Sequence, residues 1–269
     1  MKKIGFIDFY ISEWHANNYP AWIKEVCEKN GEDFTVAYAW AEQDISPVDG
    51  RSTDQWCADF GVERCGSIAE LCEKSDYILI LAPSDPDKHL GYAREALKCG
   101  KNTYIDKTFA PDYATAKEIF DIAAAHGTRF FSSSALRYAD ELDGLEGSSD
   151  VATTGGGSSI EEYIIHQAEM VIRMTDAYVE SVDVTVTDDG YICSATLEGG
   201  KRAVMTYGPS LPFSITANGE KRGVSSDFFK KLIADILRFY KDGQPSFDTE
   251  QTLKVMKLRE AVITAKNAL

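Results

Sequence analysis

Apolar positions along this chain fall into two regimes. In the first half, short continuous apolar runs alternate with segments whose apolar residues recur at helical spacing. Residues 3–7, 34–40 and 77–82 are such runs, and each predicts a strand buried on both faces. A helix is expected over 19–29, through Trp22, Ile23 and Val26, with Gly31 as its stop. Shorter helices are expected over 54–60 and 67–74, the second capped by Ser67 with Glu70 three residues on. Residues 45–53 are polar and rich in turn formers, hence a loop. The stretch 75–131 then repeats the unit: strand 77–82, helix 87–99 stopped by Gly100, strand 102–105, helix 112–126 stopped by Gly127, and a new strand from Arg129. This alternation predicts an α/β fold with a parallel sheet covered by helices.

The second half reads differently. Residues 135–145 are compatible with a short helix. Residues 151–159 (VATTGGGSS) are small, polar and glycine-rich, and predict a flexible turn into a helix over 160–175, with Ser158 or Ser159 as N-cap. Runs at 180–188, 191–197, 202–208 and 211–217 are separated by turn residues, the signature of an antiparallel meander. Two amphipathic helices, 227–241 and 249–269, complete the chain. The expected organisation is a doubly wound first domain over 1–132 and a smaller α+β domain with an antiparallel sheet over 133–269, the last helices being candidates to pack back on the first domain.

Composition narrows the partners. The 269 residues carry a formal net charge of −15, which argues against nucleic acid or an anionic membrane surface, since both demand a basic face. No apolar run approaches the roughly 20 residues of a membrane span. Asp8 interrupts the apolar run after the basic start, so no signal peptide is expected. The six cysteines are scattered without a C-x-x-C pair, which predicts reduced thiols, no metal site and a cytoplasmic setting.

In parallel sheets, ligands bind beyond the carboxyl ends of the strands. Pro83, Ser84, Asp106 and Lys107 are expected there. Where a dinucleotide-binding fold places G-x-G-x-x-G, this chain has only Gly5, inside the first strand. Helix N-terminal amides hold phosphate without glycine, so Asp8, Phe9, Trp14 and His15 are candidate cofactor contacts. Trp40 occupies the ribose position after the second strand, followed by Glu42 and Asp44, with no arginine adjacent in sequence; this favours NAD over NADP. In the helix over 160–175, Glu162 and His166 share a face and Glu169 follows three residues later. A carboxylate one turn from an imidazole suits a general base.

Taken together, Pro83-Ser84, His89, Ala96-Leu97, Gly100-Lys101 and Asp106-Lys107-Thr108 resemble the Gfo/Idh/MocA (glucose–fructose oxidoreductase, inositol dehydrogenase) family. Asp106 stands where the family has glutamate and Thr108 where it has a proline, often cis; a threonine there predicts a trans bond. Arg137-Tyr138 is similar to the arginine–aromatic pair that opens the family's second domain. Glu162, Ile164, His166 and Glu169 stand at the positions of its aspartate–glycine–histidine–aspartate helix. The resemblance implies a Rossmann-type first domain and hydride transfer between NAD or NADP and a sugar, polyol or related hydroxy compound. It also implies His89 as a cofactor contact, Lys107, His166 and Glu162 as the catalytic group, Arg137, Tyr138 and Glu169 as substrate contacts, and a homodimer or tetramer. Lys107 and His166 are then expected to meet across one cleft. The lost glycines of the phosphate loop and the threonine at 108 keep a second reading open: a non-catalytic nucleotide- or sugar-binding relative, acting as a sensor or partner subunit.

Overall fold

The apolar runs of the first half line up as one parallel sheet. In the computed structural model, which describes residues 1–269, its strands are β1 (Lys2–Asp8), β2 (Phe34–Ala41), β3 (Glu63–Arg64), β4 (Tyr77–Ile80), β5 (Thr103–Ile105) and β6 (Phe130–Phe131), in the order β3-β2-β1-β4-β5-β6. Ile4, Phe6, Ile7, Ile78, Ile80, Tyr104 and Ile105 have essentially no exposed surface, as a sheet covered on both faces requires. The covering helices include α1 (Trp14–Asn30), α2 (Thr53–Phe60), α3 (Ile68–Lys74), α4 (Asp87–Ala96) and α5 (Tyr113–His126). Gly31, Gly100 and Gly127 follow helical segments in the left-handed conformation, as their stop role demands. Gly5 serves packing: a Cβ there would lie 2.3 Å from Ser75 Oγ and 2.5 Å from Leu71 Cδ2, so its absence lets α3 close on β1.

The chain divides into two compact units, Met1–Ser132 with Leu232–Ser246, and Ser133–Lys231 with Phe247–Leu269. The first therefore contains most of α7 (Phe228–Asp242). Within it the Tyr240 hydroxyl donates to the Ile78 carbonyl (2.7 Å), the Tyr240 ring stacks on Tyr77 (centroids 4.6 Å apart), and Phe239 meets Phe131 edge-on.

In the second unit, residues expected as a glycine-rich turn form a strand instead. β7 (Asp150–Gly155) lies inside a sheet ordered β12-β11-β7-β10-β9-β8, with β8 (Val179–Thr187), β9 (Gly190–Leu197), β10 (Lys201–Tyr207), β11 (Ser214–Ala217) and β12 (Glu220–Gly223). β8, β9 and β10 form the expected meander. β11, however, pairs with β7 and not with β10, and β7 runs parallel to β10, so the sheet is mixed. Small residues suit that central place: a Cβ on Gly156, just past β7, would lie 2.0 Å from the Gly208 carbonyl oxygen. One face of the sheet packs on α6 (Ile160–Thr175) and α8 (Glu250–Asn267). α6 has the expected bounds, and Ser159 is its N-cap. Residues 135–145 hold two short 3-10 turns, Ala135–Tyr138 and Asp140–Leu142, where one helix was expected.

Candidate functional site

The first unit gathers acids where a phosphate was expected. Asp8 ends β1 and is 1% exposed; its Oδ1 accepts from the amides of Phe9 (2.7 Å) and Ala82 (3.0 Å), while its Oδ2 is buried without a hydrogen-bond partner. Ala82 adopts a positive φ of 62° to present that amide. Burial first, then the neighbouring Glu13 and Asp106, push the Asp8 carboxyl well above the usual range, against the two amides that pull it down. Asp106, also 1% exposed, continues β5; its Oδ1 accepts from Tyr104 (3.2 Å) and its Oδ2 faces His15 Nδ1 at 3.7 Å. His15 Nδ1 also lies 3.3 Å from Glu13 Oε2. The hydroxyl of buried Tyr19 adjoins this cluster, and burial, Asp106 and Glu13 all raise its pKa.

Glu13 is the residue the sequence did not single out. It is the N-cap of α1, and its carboxylate accepts from the amides of His15 (2.8 Å) and Ala16. N-caps are usually serine, threonine, aspartate or asparagine. Ser12, of that type, lies one position too early and donates to Asp49 (2.7 Å). The only sequence signal was an acid next to the first helical residue. Pro20 concealed that start, because the residue before a proline is biased away from helix; α1 begins at Trp14 rather than Tyr19.

The segment after β2, where a ribose contact was expected, is bonded to the loop after β1. Gln43 N donates to the Phe9 carbonyl (2.7 Å), Glu42 N to the Asp8 carbonyl (3.1 Å), and Ser46 Oγ to the Ser12 carbonyl (2.7 Å), which ties the loop after β1 to the loop after β2. Glu42 accepts from Lys88 (2.6 Å) and Tyr92 (2.8 Å). Arg64 pairs with Asp44 (2.8 Å) and Asp54 (3.0 Å). Trp40 packs edge-on against Tyr92, Phe9 lies under the Lys88 ammonium, and Trp14, 52% exposed, packs against His15 and Trp22. As arranged, these residues do not fit a pyrophosphate: the α1 amides that would bind it already hold a carboxylate, among two further acids.

At the other end of the crevice Pro83 is buried and Ser84 exposed. Half-buried Lys107 donates to the Pro83 carbonyl (3.3 Å). The Lys107–Thr108 peptide bond is cis, contrary to the trans bond that threonine predicts. His89 is fully buried, with Nδ1 3.0 Å from the Phe109 carbonyl oxygen and Nε2 close to that of Leu81. With both ring nitrogens turned to main-chain carbonyls, it ties the residue just past β4 to the segment after β5.

In the second unit, half-buried His166 shares a hydrogen bond between Nδ1 and Ser134 Oγ (2.7 Å). Ser134 is a partner that the sequence reading missed. Glu162 accepts from Ser158 (2.6 Å). Glu169, 3% exposed, accepts from Arg137 Nε and from the Ser134 amide (3.2 Å). Arg137 also donates to Gln251 (2.8 Å) and lies 3.9 Å over the Phe247 ring, while its Nη2 is buried without a partner. Tyr138 is half-buried beside this pair in sequence. A cavity of about 570 Å³ on this unit is lined by Asp150, Arg202 and Thr216 among others, and none of the predicted site residues faces it.

Comparison with known proteins places this arrangement. Residues 27–134 match the family profile described as oxidoreductase family, NAD-binding Rossmann fold (GFO_IDH_MocA). A 58-residue segment, 22% of this chain, is 38% identical to the uncharacterized oxidoreductase YhhX of Escherichia coli K12 and spans 17% of that protein. The fold is shared with a myo-inositol dehydrogenase from Lactobacillus casei, solved with NAD(H) and myo-inositol, at a TM-score of 0.81 and 10% identity, covering 99% of this chain and 94% of that one. A probable dehydrogenase from Thermotoga maritima aligns at a TM-score of 0.78 and 13% identity, over 99% and 97% of the two chains. Residues 27–134 thus match the NAD-binding Rossmann profile of the oxidoreductase family, and the two-sheet fold is shared with these dehydrogenases along nearly the whole chain.

Proposed function

We propose that this protein is an oxidoreductase acting on a sugar, polyol or related hydroxy compound, with NAD rather than NADP as redox partner. The observation that carries this reading is Lys107: a half-buried ammonium at the carboxyl end of β5, next to a buried acid, in the segment that matches the family. Oxidation of a hydroxyl carbon releases a proton from oxygen, and the roles assigned to this chain's residues concern that proton. Lys107 holds the hydroxyl oxygen and stabilises developing alkoxide charge. His166, its ring oriented through Nδ1 by Ser134, accepts the proton. Glu162 supports it from the preceding turn of α6. Titration of the purified protein with NADH, followed by cofactor fluorescence, tests the reading. Saturable binding, together with turnover that Lys107→Ala abolishes, supports it; full activity of that variant refutes the assigned role. Homo-oligomerisation through the open face of the second sheet belongs to the same reading, and light scattering tests it.

One observation favours a second reading. The Glu13 carboxylate on the α1 amides is what a relative that no longer binds dinucleotide would carry. Such a protein would bind a sugar or nucleotide without chemistry, as a sensor or partner subunit. Absence of NADH binding at millimolar cofactor would select it.

A further inference from the structure

We infer that Glu13 is a built-in competitor of the cofactor: its carboxylate occupies the anion position at the start of α1, and a dinucleotide binds only when that side chain leaves. The inference rests on the oxidoreductase reading for its biological sense, but the competition itself is a property of this loop. Three independent features of the first unit point to it.

The first is occupancy. In a parallel α/β fold the first helix directs its N-terminal amides at the crevice beyond β1, and those amides bind phosphate. Here two of them, His15 N and Ala16 N, are bonded to the two oxygens of Glu13. A carboxylate and a phosphate are alternatives for the same donors.

The second is charge. Asp8 and Asp106, each 1% exposed, lie beside Glu13, and no lysine or arginine is bonded to any of the three. A bound pyrophosphate would add negative charge to this group. Removing Glu13 lowers that repulsion as well as freeing the amides. Asp8 Oδ2, buried and unpartnered, is the atom on which the crowding of acids falls most directly.

The third is that the loop is held from outside α1. The bonds from Gln43 N to the Phe9 carbonyl, from Ser46 Oγ to the Ser12 carbonyl, and from Ser12 Oγ to Asp49 fix the main chain on either side of Tyr10 and Ile11. Glu13 is thereby presented to the helix end by a braced loop. Its side chain is the part that must move, and the backbone need not.

Two variants test this. Glu13→Ser keeps a helix N-cap while withdrawing the charge and shortening the arm. Glu13→Gln keeps the length and withdraws only the charge. Each is titrated calorimetrically beside the wild type, once with NADH and once with inorganic pyrophosphate, after far-UV circular dichroism has shown it folded. The expected result is that either variant binds both ligands about tenfold or more tightly than wild type, the scale of one favourable anion interaction at a partly buried helix end. If Glu13→Ser does not fold, Glu13→Gln decides. Folded variants that bind neither ligand more tightly than the wild type overturn the inference. A gain for pyrophosphate without one for NADH leaves Glu13 in its assigned role and counts against the oxidoreductase reading instead, so the two ideas fail separately.

Discussion

Glu169→Ala separates two roles for a residue that the sequence marks as a substrate contact. In the structure Glu169 is buried against Arg137, itself 5% exposed, and accepts the Ser134 amide. Truncation leaves a guanidinium in the interior with only Gln251 and the face of Phe247 for company, and strands the amide of a serine with no exposed surface. Breaking a buried ion pair from one side costs about 3–5 kcal/mol. The lost amide acceptor alone is worth about 1–3 kcal/mol, and the two overlap because Gln251 and entering water relieve part of each. The net expectation is a loss of about 3–5 kcal/mol. All four tryptophans, Trp14, Trp22, Trp40 and Trp56, lie in the first unit, so fluorescence is a poor reporter. Urea denaturation followed by far-UV circular dichroism is the suitable assay. Replacing both partners by apolar residues of similar size, Arg137→Met with Glu169→Leu, should recover most of the loss, because no uncompensated charge remains. A Glu169→Ala protein within about 1 kcal/mol of wild type, the size of an ordinary point substitution, but with weakened substrate binding, would refute a structural role and restore the residue to the ligand.

Other expectations are more compact. The Asp8 carboxyl is raised in the folded state, so the native protein binds more protons than the unfolded chain once pH exceeds the unfolded value of about 3.9. Asp8 therefore withdraws stability as pH rises toward its folded pKa. Asp8→Asn, which keeps an acceptor for Phe9 and Ala82, should gain stability relative to wild type from pH 4 to pH 8; a difference that stays constant with pH would contradict this. The Cys72 thiol hydrogen-bonds to Cys99 and holds it at about 6, and Cys99 alone among the six cysteines is not fully buried. Iodoacetamide at pH 7 should therefore modify Cys99 first, as peptide mass mapping will show, and faster labelling of any other cysteine would defeat the assignment. Gly156→Ala forces a Cβ onto the Gly208 carbonyl and should cost about 1–3 kcal/mol in a urea melt; an unchanged midpoint would mean that β7 and β10 separate more easily than their pairing suggests.

Much of the fold was legible because local signals and tertiary demands agreed. The β4–α4–β5–α5 stretch announces itself through apolar runs closed by Gly100 and Gly127, and those glycines do adopt the left-handed geometry that stops a helix. α6 was readable to the residue because Ser159 caps a strongly one-sided apolar helix. β7 was not, since VATTGG has the composition of a turn and owes its extended form to β10 and β11 on either side. That is a long-range cause, and no window of sequence contains it. The site divides the same way. Lys107 was found by its place after a strand. Glu13 was missed because glutamate is not a usual cap, and only the braced loop brings its carboxylate back onto the helix. Arg137 stood out beside Tyr138 through the family resemblance and Glu169 through its place on the helix of His166, but neither signal tells that the two pair with each other or whether they face solvent, ligand or interior.

The passage of α7 through the first unit also bears on how the protein is made. Tyr240 covers Tyr77 and bonds to the Ile78 carbonyl, with more than a hundred and fifty residues of chain between them. On the ribosome, the parallel sheet emerges whole while one of its covering pieces is still untranslated. Until residue 246 is synthesised, the aromatic surface of Phe34, Tyr77 and Phe131 waits uncovered. A fragment ending at Ser132 should therefore be sticky and short-lived.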